Sequence, residues 1–136
     1  MSPAEGLAAI VEGVPGLLGS FTLRIGGWGN SNTEVVFQDS GGRPPEVAIA
    51  IDYPTVQLLF RGLKYSETYK KAADIKAKLH ALEQKSGGEP NDFYPELVAC
   101  LVRGDITPLG QDDKNRFMFS LNFNLIVAPI ETGNRD

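Results

Sequence analysis

Residues 116–128, which read Arg-Phe-Met-Phe-Ser-Leu-Asn-Phe-Asn-Leu-Ile-Val-Ala, do more than any other stretch of this chain to determine its fold class. Large apolar side chains recur at every second position: Phe117, Phe119, Leu121, Phe123, Leu125 and Val127. Strict alternation is typical of a β-strand with one buried face. At about 3.3 Å per residue the stretch spans roughly 40 Å, whereas a compact domain of this length is only about 37 Å across. We therefore predict a strand that crosses the whole domain and is long enough to protrude.

The preceding segment supplies a partner for this strand. Residues 96–103 are almost continuously apolar from Leu97 to Val102, which favours a strand buried on both faces. Residues 110–115 between the two strands contain an Asp-Asp pair typical of turns. We therefore predict that the last two strands form an antiparallel hairpin.

Three further strands are predicted nearer the N-terminus. Residues 20–25 and 33–38 alternate or are rich in β-formers, and the Gly-Gly-Trp-Gly-Asn turn between them predicts a hairpin. Residues 55–61 predict a third strand with alternating faces. Residues 39–54 contain Gly-Gly and Pro-Pro pairs, so we expect a long loop there. Alternation at Val47, Ile49 and Ile51 allows a short strand within that loop.

Two helices are predicted. In residues 2–13, Ser2 and Glu5 have the spacing of a capping box and Pro3 suits the first helical position. In residues 67–85, apolar residues recur every three or four positions, with Ser66 as the expected N-cap. The residues expected to form the buried stripe of this second helix are Tyr65, Tyr69, Ala72, Ile75, Leu79 and Leu82. The residues expected to end the helix are Gly87, Gly88 and Pro90.

The order of these elements predicts an α+β fold, with a single mixed or antiparallel β-sheet and two main helices packed on one face. The length of 136 residues predicts one domain over 1–136, with residues 129–136 as a loose C-terminal tail.

Composition excludes several classes of protein. No apolar run approaches 18 residues, and the N-terminus lacks the pattern of a secretory signal, so we expect an intracellular chain without a membrane span. A single cysteine excludes an internal disulfide. The net charge of −4 argues against non-specific nucleic-acid binding. Residues 64–85 alone carry six lysines against three acids, which predicts a solvated helix face or a face that meets an acidic neighbouring subunit.

A search for catalytic chemistry gives no assignment. His80 fits the edge of an amphipathic helix better than a general base, and Cys100 fits a small buried hydrophobe better than a reactive thiol. Residues 26–29 lack the Lys-Ser/Thr that follows the glycines of a phosphate-binding loop. Asp112 and Asp113 alone do not make a cation site. We therefore expect no catalytic, cofactor-binding or metal-binding residues.

The order of several short motifs resembles tailed-bacteriophage tail terminators, including minor capsid (tail completion) proteins. The resemblance covers roughly residues 1–128. The motifs that carry it are Gly42-Arg43-Pro44-Pro45, Asp52-Tyr53-Pro54-Thr55-Val56-Gln57, Arg61-Gly62, Tyr65, Gly104-Asp105-Ile106, Leu109-Gly110-Gln111-Asp112, Asn115-Arg116 and Phe119-Ser120-Leu121-Asn122-Phe123.

This resemblance implies a structural virion protein. It implies a six-fold ring at the head-proximal end of the tail tube, which stops tube growth and provides the surface for head attachment. The implied partners are other copies of the chain, the tail tube protein and a head–tail connector, stopper or neck protein, with DNA passing through the lumen. Assembly is expected in the host cytoplasm, and no membrane is implied.

The resemblance transfers no individual site, so the residues themselves supply the candidates for a partner interface. Trp28 stands on a glycine-rich loop end, where an aromatic is often a contact point, although it could equally fold back onto the sheet. The candidates are Trp28, Arg43, Glu46, Asp112 and Asp113. Alternatives are another head–tail connector, a tail tube subunit, or a small ligand-binding domain or enzyme that uses the Trp28 loop and the Asp112-Asp113 pair.

Overall fold

A computed structural model describes residues 2–46, 51–80, 82–83 and 92–128, with side chains described outside 42–46 and 82–83. Two helices and six strands occur there: α1 Pro3–Glu12, β1 Thr22–Ile25, β2 Glu34–Glu46, β3 Ile51–Gly62, α2 Tyr65–Leu79, β4 Leu82–Glu83, β5 Leu97–Gln111 and β6 Phe117–Val127. The strands form one sheet in the order β1-β2-β3-β6-β5-β4. The pair β1–β2 is parallel and the other pairs are antiparallel. The predicted α+β class with a mixed sheet is therefore confirmed.

Strand β6, which carries the alternating apolar residues of 117–127, is at the centre of the sheet. It lies between β3 and β5, and its odd-numbered side chains from Phe119 to Val127 are buried. The predicted faces and the predicted hairpin with β5 are thus confirmed. The strand does not protrude, because it is paired along its whole length, from Phe117 opposite Gly62 to Val127 opposite Asp52.

The first two strands correct a prediction. They pair in parallel, with Thr22 opposite Glu34 and Ile25 opposite Phe37, and not as a hairpin. Parallel neighbours normally need a crossover of a dozen residues or more. Here only residues 26–33 lie between the strands, and the Glu34 carboxylate accepts hydrogen bonds from the amides of Gly29 and Ser31 within this short connection.

The long loop predicted over residues 39–54 is also wrong where the structure describes it. Strand β2 continues to Glu46 and β3 begins at Ile51. Register shifts between Asp39 and Gly42, and between Arg43 and Glu46, mark two bulges. Gly41 and the Pro44-Pro45 pair fall within these bulges, which accept such residues without ending a strand, and Gly42 is paired opposite Pro54. Of the short strand predicted here, Val47 and Ile49 lie outside the described residues, whereas Ile51 begins β3.

Helix α1 begins as its sequence predicts. The Ser2 hydroxyl accepts a hydrogen bond from the Glu5 amide at 3.2 Å, and the Glu5 carboxylate accepts one from the Ser2 amide at 2.7 Å. Both halves of the capping box are present. The apolar stripe of Leu7, Ile10 and Val11 is buried.

Helix α2 differs from its prediction at both ends. It begins at Tyr65 with Lys64 as N-cap, so Ser66 is not the cap, and it ends at Leu79. The chain becomes extended at His80, and Leu82–Glu83 then pairs with β5. Strand pairing thus replaces the last turns of the predicted helix. Gly87, Gly88 and Pro90 lie outside the described residues.

The predicted buried stripe of α2 is only partly buried. Ala72, Ile75 and Leu79 are fully buried, but Tyr65 is 51% exposed and Tyr69 is 43% exposed. The first turn of α2 therefore leaves an aromatic surface open.

Strand β5 is longer than predicted and is not buried on both faces. Leu97 and Cys100 are buried, whereas Leu101 is 46% exposed. Cys100 belongs to the core cluster, whereas Leu101, the next residue along the strand, points to the opposite face of the sheet.

The core joins both helices to the sheet. Buried residues of α1 and α2 form one cluster with alternate residues of the strands, among them Val35, Phe37, Val56, Leu58, Phe60, Phe119, Leu121, Phe123 and Leu125. The sheet has two distinct ends. We call one the Arg61 end, where Glu34 pairs with Arg61 and Gly62 with Phe117. We call the other the Ile51 end, where Glu46 pairs with Ile51 and Leu97 with Val127.

Candidate partner interface

A buried carboxylate organises the loop that carries Trp28. Glu34 is fully buried at the first position of β2. One carboxylate oxygen accepts hydrogen bonds from the Gly29 amide at 2.8 Å and from Arg61 Nη2 at 2.7 Å. The other accepts from the Ser31 amide at 3.2 Å and from Arg24 Nε at 3.3 Å. These four donors hold residues 26–33 in the turn that returns the chain parallel to β1.

Arg61 is the buried cation of this cluster and the support for Trp28. Besides Glu34, its Nη2 donates to the carbonyls of Ser31 at 2.5 Å and Gly29 at 3.2 Å. Its guanidinium carbon lies 4.4 Å from the centroid of the Trp28 ring, within the range of a cation–π contact. Trp28 therefore folds back onto Arg61, yet it remains 37% exposed.

Hydrogen bonds and opposite charges keep Glu34 ionised beside Arg61. Burial favours a raised pKa for Glu34, but the amide hydrogen bonds from Gly29 and Ser31 and the charge of Arg61 outweigh it and lower the pKa. Burial and the nearby charge of Arg116 lower the pKa of Arg61, against the opposing effect of Glu34. The carboxylate thus stays ionised and fixes the loop.

We predict that Trp28→Ala lowers the free energy of unfolding by about 1–2 kcal/mol, because it removes a partly desolvated cation–π contact. Urea unfolding followed by far-UV circular dichroism measures the loss, since the chain has no other tryptophan for fluorescence. Trp28→Phe keeps a ring over the guanidinium and should lose less. Equal stability of all three proteins would contradict a stabilising role for Trp28.

Asp112 lies at the same end of the sheet, but its carboxylate is used internally. It accepts hydrogen bonds from the amides of Lys114 at 3.0 Å and Arg116 at 2.9 Å, and from Arg116 Nε at 2.8 Å. Burial tends to raise the pKa of Asp112, and the bonds from Arg116 and Lys114 lower it below its usual value. Arg116 reaches Asn32 at 3.5 Å and so links this turn to the Trp28 loop. Asp113 is exposed on the turn.

The five candidate interface residues therefore fall into two groups. Trp28, Asp112 and Asp113 come together at the Arg61 end. Arg43 and Glu46 lie towards the Ile51 end, where their backbones pair with Tyr53 and Ile51. The side chains of Arg43 and Glu46 lie outside what the structure describes.

The residues considered for catalysis lie apart from this cluster. His80 Nδ1 accepts a hydrogen bond from the Val102 amide at 3.2 Å, next to the end of α2. Cys100 is buried, and burial raises the pKa of its thiol to about 12. Within the described residues, no three His, Cys, Asp or Glu side chains are placed to hold a metal ion together. None of the described helices has the length and apolar composition needed to cross a membrane.

Sequence reasoning missed the buried charges that build the Arg61 end. Glu34, Arg61 and Arg116 are all buried, although their residue types are usually exposed. A signal was available, because Glu34 directly precedes the apolar run Val35-Val36-Phe37 in a strand. A carboxylate at the edge of a buried run suggests an internal ion pair, but its partner Arg61 could not be chosen without the strand order.

The chain is similar to a known protein family. The model of a family described as bacteriophage tail terminator protein matches residues 29–129, which include β2 to β6 and the buried ion pair of Glu34 and Arg61. The chain belongs to the bacteriophage tail terminator protein family. A search of curated proteins finds no match. Family membership confirms the resemblance seen in the sequence and identifies a structural component of the phage tail.

Proposed function

We propose that this terminator forms a ring, a homohexamer by analogy with the family, that caps the head-proximal end of the tail tube. The ring stops tube polymerisation and provides the surface to which the DNA-filled head joins. Assembly takes place in the host cytoplasm. Family membership over residues 29–129 is the observation that carries this proposal.

The two ends of the sheet differ as a growth stopper requires. A terminator needs one surface that fits the tube subunit and another that does not repeat it. The Arg61 end presents Trp28 and Asp113 beside a buried charge cluster. The Ile51 end carries Arg43 and Glu46 in the bulged part of β2. We assign these four residues to partner contacts, whereas Asp112 supports its own turn and is less available.

We further propose that the chain acts as one domain, with both helices on one face of the sheet and residues 129–136 as a tail. The shared core of α1, α2 and alternate residues of β3 and β6 supports this arrangement. Helices on one face leave the other face of the sheet free to face neighbouring subunits or the lumen through which DNA passes. Partners are then the tail tube protein on one side of the ring and a connector, stopper or neck protein on the other.

Deletion of this gene from its source particle tests the proposal. We expect overlong tubes of widely distributed length without attached heads, seen by negative-stain electron microscopy. Supplying the wild-type chain in trans should restore a uniform length and attached heads. Normal tails joined to heads after deletion would overturn the proposal. Tubes of normal length that fail to join heads would instead indicate a connector, and absence of tubes would indicate a tube subunit.

A further inference from the structure

One face of the sheet points away from the core cluster, and a row of amide side chains crosses it. Successive residues of a strand point to opposite faces, so the strand neighbours of core residues lie on this side, which we call the polar face. The strand pairing places Gln38 opposite Gln57, Gln57 opposite Asn122, and Asn122 opposite Arg103. Gln38 Nε2 donates to Gln57 Oε1 at 2.7 Å. With neighbouring strands about 4.8 Å apart, the row spans roughly 14 Å.

A second polar row lies beside the first, towards the Ile51 end. Thr55 is opposite Asn124, which is opposite Leu101. The hydroxyls of Ser40 and Thr55 are 2.8 Å apart and share a hydrogen bond. The two rows border an open depression of about 510 Å³, whose lining includes Ser40, Thr55, Leu101, Arg103 and Asn124. Amide and hydroxyl groups, with the guanidinium of Arg103 as a cation, therefore dominate this part of the surface.

The polar face also differs in charge from the rest of the chain. Among the strand residues whose side chains the structure describes, Glu34 is the one carboxylate on this face, and it is buried against Arg61. The remaining strand carboxylates bond to α1, bond to α2 or lie opposite a core residue of β6; they are Asp39, Asp105 and Asp52. The whole chain has 17 acidic residues against 13 lysines and arginines. A face whose described strand residues expose no carboxylate is therefore a local exception.

This composition fits a polyanion better than a protein partner. The centre of a protein interface is usually rich in aromatic side chains and depleted of charge, whereas the two rows consist of amides, hydroxyls, one arginine and Leu101. Side chains of Arg, Asn, Gln, Ser and Thr are those that donate to DNA phosphates. The strength of phosphate binding rises with the number of cations, because each cation releases counter-ions. A single arginine among neutral donors therefore favours contact with DNA without tight binding.

We propose that the polar face lines the lumen of the ring and that its two rows make a weak, sequence-independent sliding contact with the backbone of the passing DNA. Arg103 and the neutral donors meet the phosphates, and the missing carboxylates remove a source of repulsion. The inference rests on the proposed function, because the lumen exists only in the ring. It assigns this face to DNA and not to a neighbouring subunit.

The rate of DNA release from assembled particles tests the assignment. Ser40→Lys with Asn124→Lys adds two cations per copy at exposed positions of the polar face. We expect tails of normal length with attached heads, but triggered DNA release at least tenfold slower than wild type at low salt. High salt should restore the rate, because it screens contacts between lysine and phosphate. Release is followed with a DNA-binding dye outside the particle.

A matched variant controls for the added charge. Ser66→Lys with Ala77→Lys also adds two cations, at exposed positions of α2. This variant should release DNA at the wild-type rate. Circular dichroism of both purified variants establishes that each is folded.

Thiol labelling gives a second readout of the same face. Asn124→Cys is treated with a small maleimide in DNA-filled particles and again after the DNA has left. We expect labelling at least tenfold faster in the emptied particles, since DNA covers the face before release. The native Cys100 is buried and does not compete. Ala77→Cys is the control and should react at the same rate in both states.

The outcomes separate this inference from the proposed function. Wild-type release from the polar-face variant, or equal slowing in both lysine variants, would overturn the sliding contact. Loss of attached heads or of uniform tail length in the polar-face variant alone would show that this face contacts a protein. A thiol at position 124 that is unreactive in both states, or equally reactive in both, would also overturn the assignment. Each of these results leaves the terminator role intact, whose failure appears as normal tails joined to heads in the gene deletion.

Discussion

Glu34→Gln is expected to lower the free energy of unfolding by about 3–5 kcal/mol, because it leaves the buried Arg61 charge without its counter-ion. Glu34 is fully buried, and the Arg61 side chain is 6% exposed, at 2.7 Å. The two carboxylate oxygens serve four donors, whereas a Gln side chain has one acceptor oxygen. A total stability of about 5–15 kcal/mol makes this loss a large fraction of the whole.

Urea unfolding monitored by circular dichroism gives the measurement, with Arg24→Gln as control. Arg24 contacts the same carboxylate, but its side chain is 47% exposed. Exposed ion pairs contribute at most about 1 kcal/mol, so this control should remain close to wild type. Similar losses in the two variants would contradict the assignment of Arg61 as the essential partner.

The pH dependence provides a second readout. Since the fold lowers the pKa of Glu34, the stabilisation is present above the unfolded value and lost as the pH falls through the lower folded value. The stability difference between wild type and Glu34→Gln should therefore be constant near neutral pH. It should shrink only below about pH 4, the ordinary range of a glutamate. A difference that grows on acidification would contradict this sign.

Local patterns predicted the parts of the fold whose cause is local. The alternation in β6 and the capping box of α1 act within a few residues, so the sequence displays them directly. The turn at Asp112 is similar, since its carboxylate binds amides two and four residues further on.

Features that depend on contacts between residues far apart in the sequence could not be predicted from local patterns. The glycines after β1 signal a turn, but the direction of the return depends on Glu34 meeting Arg61, which is 27 residues away. The end of α2 likewise depends on Leu82–Glu83 pairing with β5. Helical periodicity continues past Leu79 in the sequence, and strand pairing overrides it.

The candidate interface likewise has features that the sequence shows and features that only the folded chain shows. Trp28 was identifiable as an unusual aromatic on a glycine-rich loop, but its support by Arg61 was not. The ring contacts of Tyr65 on α2 with Phe117 and Phe119 on β6 join two elements far apart in sequence, so they exist only after the chain has folded. Periodicity assigned Tyr65 to the core, whereas the structure leaves half of it exposed.

Leu121→Asp is expected to prevent folding, with a loss of about 5 kcal/mol or more. Leu121 has no exposed surface, lies opposite Leu58 in the central pair of strands, and belongs to the core cluster that joins the helices to the sheet. The substitution removes a buried apolar side chain, which alone costs about 2–5 kcal/mol. It also places a carboxylate in apolar surroundings, where an unpaired charge costs several kcal/mol more.

Asn122→Asp is the matched control, since it introduces the same side chain one residue further along β6. Asn122 points to the other face of the sheet and is only half-buried, and exposed Arg103 lies opposite it on β5. A carboxylate there keeps access to water and gains a nearby cation, so we expect a change within about 1 kcal/mol. Soluble yield and the circular dichroism melt of each variant give the readout. Because a one-residue shift of register exchanges the two faces of a strand, equal loss of soluble protein in both variants would show that the face assigned to the core of β6 is wrong.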